Sequence, residues 1–142
     1  MTRRLFGNVI WCAILTNFGC DSKAPPTPAT TPVKGQILVQ GKGVAGARVV
    51  FHPQFDVGAV KFAPGATTDK EGRFQLGSAG PSDGAPVGEY AVTFTWPEPT
   101  KNPDEGDLQV DRWRNKYNDP AKSKWKITIK EGDNQLEPFK ID

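Results

Sequence analysis

The sequence predicts an all-β fold in which short strands gather around one central strand, with a single long excursion late in the chain. Three observations predict it. Residues 88–96 form the longest alternating run: Tyr90, Val92, Phe94 and Trp96 share one parity, while Ala91, Thr93 and Thr95 hold the other. A two-residue side-chain period sets those four large apolar groups on one sheet face. The stretch ATTDKEGRFQL, residues 66–76, reads as a β-hairpin just ahead of that run. Finally, 15 Gly and 13 Pro among 142 residues favour many turns and short strands.

The chain opens on an address. Arg3 and Arg4, followed by the apolar run 5–15, have the basic and short apolar regions of a secretory signal. Gly7 and Asn8 interrupt the run, which is short for a membrane span. Asn17-Phe18-Gly19-Cys20, followed by Asp21-Ser22, resembles a bacterial lipobox. That resemblance implies that the Cys20 thiol takes a diacylglyceryl group and becomes the first residue after cleavage. Asn17 stands where the pattern usually has Leu, and Phe18 is bulkier than usual. An ordinary signal cut near Gly19 and an uncleaved anchor stay open as alternatives. So does twin-arginine export, which Thr2-Arg3-Arg4-Leu5-Phe6 resembles. The only cysteines are Cys12 and Cys20, so the domain beyond Cys20 has no disulfide and rests on its core.

The expected organisation is a lipoprotein-type signal over 1–20, a Pro/Thr-rich linker over 21–32 and one domain over 33–142. Pro25, Pro26, Pro28 and Pro32 favour an extended polyproline-like linker. Within the domain, residues 33–40 read as a first strand and Gly41-Lys42-Gly43 as its turn. Residues 44–53 follow as strand two, with Ala47, Val49 and Phe51 on one face and Pro53 as its end. Residues 54–65 read as a loop over a sheet edge. Asp69-Lys70-Glu71-Gly72 is a tight turn, returning with Phe74 and Leu76 inward. A flexible stretch, 77–86, leads to the central strand. The excursion covers 97–124, with Asp107 as N-cap of a short helix through Tyr117 that places Val110, Trp113, Arg114 and Tyr117 on one face. Strands over 125–130 and 136–141 complete the sheet.

The passages VKGQILVQGKGVAGARVVFHP, GATTDKEGRFQL and PVGEYAVTF resemble, in order, the marks of the carboxypeptidase regulatory-like domain. The resemblance implies a transthyretin-like, Ig-like seven-strand β-sandwich. Tyr117-Asn118-Asp119-Pro120 and residues 127–134 extend it to a group of small bacterial lipoproteins that carry the same domain.

Charge and chemistry narrow the function. Without Arg3 and Arg4 the cations and carboxylates balance, which argues against nucleic acid as a partner. His52 is the only histidine. Hydroxyisourate hydrolases and ring-opening iron dioxygenases, which share the transthyretin-like fold, each need more than one, and the hydrolases end in Tyr-Arg-Gly-Ser where this chain ends in Pro-Phe-Lys-Ile-Asp. A strand-borne His52 alone makes neither a zinc site nor a catalytic triad. The turn acids Asp69, Glu71, Glu131 and Asp133 lack the repeated ligands of a calcium loop. Trp96, Trp113, Tyr117 and Trp125 are the candidate ligand- or partner-binding set, against the plainer reading that they pin the excursion to the sandwich edge. The expectation is a non-catalytic, lipid-anchored envelope protein on a periplasmic or outer face, attached through Cys20, without cofactor or metal. Its partners would be the membrane and envelope proteins or glycans. The alternative is a carbohydrate-binding module using exposed tryptophans.

Overall fold

β8 (Gly88–Thr95) is the strand around which the second of two sheets is built. The computed structural model describes residues 28–58, 61–99 and 110–142. In that second sheet the order is β5 (Gly65–Thr67), β4 (Arg48–Pro53), β8 and β9 (Lys126–Ile129), all antiparallel. The first sheet centres on β2 (Val33–Val39). On one edge β2 pairs antiparallel with β3 (Lys42–Gly43) and β6 (Arg73–Gln75). On the other edge it pairs parallel with β10 (Asn134–Gln135) and β11 (Phe139–Ile141). A ribbon of β1 (Thr30–Thr31) and β7 (Ala85–Pro86) closes one end.

The inward faces meet in one core. Val33, Ile37, Phe74, Leu76, Phe139 and Ile141 come from the first sheet and its flanks; Ala47, Val49, Phe51, Tyr90, Val92, Phe94 and Ile129 come from the second. Each large side chain taken fully out of water contributes about 1.5–3 kcal/mol, which is why the alternating runs settle with these residues inside. The all-β sandwich expected from the sequence is therefore the fold. It holds eleven strands among the described residues, several of them only two or three residues long.

Four expectations are corrected. The short helix through Tyr117 does not form in its described part, where residues 112–117 run as turns; Asp107, its expected N-cap, lies outside the described residues. Arg114 (φ 52°) and Asn115 (φ 61°) adopt left-handed backbone, which stops a helix. Among the described residues the helical element that does form is a 3-10 turn at Pro120–Lys122, capped by Asp119 Oδ1 accepting from Ala121 N at 2.9 Å.

Secondly, the first hairpin turns at Gln40 (φ 50°) and Gly41 (φ 79°), so Lys42 and Gly43 are already paired with Val39 and Leu38. Two successive positive φ values match the twist of the strands they join. Thirdly, the 77–86 stretch is fastened. The Asp83 carboxylate accepts from Ser78 N, Ala79 N and Gly80 N, and Gln75 Nε2 donates to Ser82 O at 3.1 Å. Lastly, the end of the expected linker belongs to the fold: Thr30 and Thr31 pair with Pro86 and Ala85, and Asn134 Nδ2 donates to Thr31 Oγ1 at 3.0 Å.

Candidate functional site

The returning half of the excursion lies along β8 and carries the candidate residues with it. Glu98 N donates to Val110 O, Arg112 N to Trp96 O, Phe94 N to Tyr117 O and Val92 N to Trp125 O, all within 3.0 Å. The segment thus occupies the strip beside β8 beyond the end of β9, and its backbone is satisfied by β8, by residues 96–98 that follow it and by local turns rather than by a helix. Asp111 fixes the corner. The residue is only 7% exposed, and its carboxylate accepts from Trp96 N at 2.6 Å, Trp113 N at 3.3 Å and Asn115 N at 2.9 Å.

This arrangement brings all four aromatic candidates together. Trp96 and Trp113 are 5.5 Å apart between ring centroids, Trp113 and Tyr117 5.9 Å, and Tyr117 and Trp125 5.6 Å. The row continues inward through Phe94, 4.9 Å from Trp125, to Phe139. Tilted and edge-to-face contacts at these spacings are favourable for aromatic pairs. All four rings are half-buried against the core, and Trp96 Nε1 donates to Ala45 O at 3.0 Å while Tyr117 Oη donates to Asp142 O at 2.7 Å. The row fastens the excursion to the sandwich.

Three cations cover the row, and the sequence reading missed them. The Arg112 guanidinium lies 4.5 Å from the Trp96 ring centroid, the Lys116 ammonium 4.9 Å from Tyr117 and the Lys124 ammonium 4.6 Å from Trp125. Each contact is worth about 0.5–1 kcal/mol at an exposed position. A signal was present in the alternation Arg112-Trp113-Arg114, Lys116-Tyr117 and Lys124-Trp125-Lys126. The balance of charge over the chain without Arg3 and Arg4 concealed it. A cavity of about 250 Å³ opens beside the row, lined by Lys116, Tyr117, Asp119, Lys122, Lys124, Trp125 and Asp142 among others.

The remaining ionisable groups sit apart. His52 Nε2 is 2.9 Å from Thr93 Oγ1 on the outer face of the second sheet, and burial holds its imidazole below the usual value. Asp69 is held below the usual carboxyl range first by the Arg73 backbone N–H, with the Arg73 guanidinium and Glu71 N–H adding to it. Burial pushes Asp83 up, but the N–H groups of Ser78, Gly80 and Ala79 together outweigh it and hold the carboxyl low. Among the described residues no three His, Cys, Asp or Glu side chains gather as a metal set. A larger cleft of about 900 Å³ lies between β5 and β6, lined by Lys34, Gln36, Thr67, Arg73, Gln75 and the 77–82 loop. Cys20 lies outside the described residues.

No family model matches this chain, and no curated protein matches it. Among solved structures it is similar to a 9R-lipoxygenase from Cyanothece PCC8801, at 16% identity over 82% of this chain, with a TM-score of 0.43. The chain spans 17% of that protein's length, and a likeness so slight carries neither fold nor activity across.

Proposed function

We propose that this chain is a non-catalytic, lipid-anchored protein of the cell envelope, tethered through Cys20, whose carboxypeptidase regulatory-like, transthyretin-type sandwich binds or spaces other envelope components. The observation that carries the non-catalytic reading is how the acids and the imidazole are used. Asp69, Asp83, Asp111 and Asp119 each accept backbone N–H groups, and His52 faces a threonine hydroxyl. A hydrolytic or transfer centre needs such groups converging on one reacting atom. Here they are distributed over turns and corners. The family reading is supported by where its three passages fall: on β2 through β4, on the Asp69–Gly72 turn with β6, and on β8.

The anchor is tested by labelling cells with a lipid precursor and comparing wild type with Cys20→Ala. Label on the wild type alone supports the tether; equal label on both removes it. The second reading, a module that stacks neutral sugars on its tryptophans, gains little support from rings that are all half-buried, with a cation over Trp96 and another over Trp125. Glycan pull-down with Trp113→Ala and Trp125→Ala separates the two. Neutral-glycan binding that these changes abolish, in protein that still melts cooperatively, would favour the sugar module.

A further inference from the structure

Residues 110–126 carry six cations, Arg112, Arg114, Lys116, Lys122, Lys124 and Lys126, against two carboxylates. All six are exposed. Both carboxylates are engaged at home: Asp111 by three backbone N–H groups, and Asp119 by Ala121 N and by Lys122 at 3.4 Å. Three of the cations are also held in place by the rings beneath them. A long exposed side chain ordinarily loses rotamer freedom when it meets a ligand. At Arg112, Lys116 and Lys124 the ring contact has removed part of that freedom beforehand.

The occupied ring faces decide the partner's chemistry. A neutral sugar or a nucleic-acid base binds an aromatic platform by stacking on its face. At Trp96, Tyr117 and Trp125 a cation already lies there. An anionic group instead meets the cation and leaves the ring contact intact. Exposed ion pairs are worth about 0.2–1 kcal/mol each, so useful affinity needs several acting together. A row of charges over a row of rings suits a linear polymer better than a single small anion. The row borders the chain from Val92 to Trp96, at the late end of β8, whereas β1 joins the sandwich beside Pro86, just before the other end of that strand. A tether leading into β1 therefore leaves this face at the far end from its attachment.

We propose that the face formed by residues 112–126 binds a linear anionic polysaccharide bearing carboxylate or sulfate groups. This deepens the envelope reading and rests on it for where the polymer is met. Binding itself does not involve Cys20, so the two fail separately. The full chain in detergent is titrated calorimetrically with polygalacturonate, dextran sulfate, neutral dextran and oligodeoxythymidylate, at low and at physiological salt. The variants are R112Q/K116Q/K124Q and, as a charge-matched control, K34Q/K42Q/K130Q, whose residues are exposed elsewhere. The expected result is binding of one or both anionic polysaccharides that weakens with salt and none of neutral dextran. It falls about tenfold in the first variant and little in the control, as three modest ion pairs imply. Equal loss in both variants overturns the assignment, as does neutral dextran bound as well as the charged polymers or no binding at all. Oligodeoxythymidylate bound more tightly than either polysaccharide reassigns the face to nucleic acid. The salt and polymer series on wild type alone remains decisive if the first variant fails to fold.

Discussion

Gly35 lies directly opposite Phe74 across β2 and β6, and a Cβ placed on Gly35 would sit 2.5 Å from Phe74 Cζ. The missing side chain is what lets the Phe74 ring fold down over β2 and stack on Phe139, with centroids 6.2 Å apart. Phe74 is 5% exposed, so it has little room to retreat. Gly35→Ala is expected to destabilise by about 1–3 kcal/mol through overpacking. Urea unfolding measures it; an unchanged midpoint would show that the ring is free to move.

Asp111 holds the excursion's return to β8 through three backbone N–H groups. Asp111→Ala leaves Trp96 N, Trp113 N and Asn115 N without that acceptor in a partly buried corner, at a cost of about 2 kcal/mol. Asp111→Asn keeps one carbonyl oxygen and is expected to fall between. Tryptophan fluorescence should shift to the red in the alanine variant, because Trp96 and Trp113 lose their docking. A wild-type spectrum would separate the corner from the aromatic row.

Acidification should weaken the fold in two windows. His52 is held below its usual value by burial, so its contribution is complete above about pH 6.5 and is lost as pH falls through the lowered value. Asp69 and Asp83 are also held low. Their contributions are complete above the ordinary carboxyl value near about 4 and disappear as pH falls through the native one. Asp83→Ala should lower stability at neutral pH and flatten the decline below about pH 4. Denaturation midpoints from pH 7 to 3 read both effects, and an undiminished acid decline in the variant would point to other carboxyls.

Tyr90 is fully buried, and its hydroxyl donates to Pro86 O at 2.8 Å. Burial pushes the phenol up to about 12. The native state thus keeps a proton that the unfolded chain releases, so this contribution is present below about pH 10 and is lost as pH rises through the native value. Tyr90→Phe removes the donor while Pro86 O stays buried, for about 1 kcal/mol. An ultraviolet titration should show wild type carrying a late-ionising phenol that Tyr90→Phe lacks. Loss of an early phenol instead would place Tyr90 in water.

The parts of this fold that were legible in the sequence are those decided within a short window. Tyr90, Val92 and Phe94 alternate because a strand has a period of two, and Gly72 (φ 76°) closes the Asp69 turn because glycine tolerates that backbone. Val110, Trp113 and Tyr117 misled because their spacing fits a helix, while groups that satisfy their segment sit on β8 and on Trp96 and Glu98 just after it. No local window contains both. Thr30 and Thr31 were hidden for the same reason, since their partners are Pro86 and Ala85. The aromatic candidates were found by residue type, but the cations over them were lost in a sum taken over the whole chain.

The parallel neighbours of β2 bear on when the fold can close. Ile37, Leu38 and Val39 lie beside Phe139, Lys140 and Ile141, about a hundred positions later in the chain. Contacts so distant along the backbone come late and slow the closing step, commonly to milliseconds or seconds. A chain emerging amino end first presents β2 with one edge bare until residues 134–141 follow. Closure of the first sheet therefore waits for the end of the chain, and a chaperone that shields that open edge would act on the newly emerged chain alone.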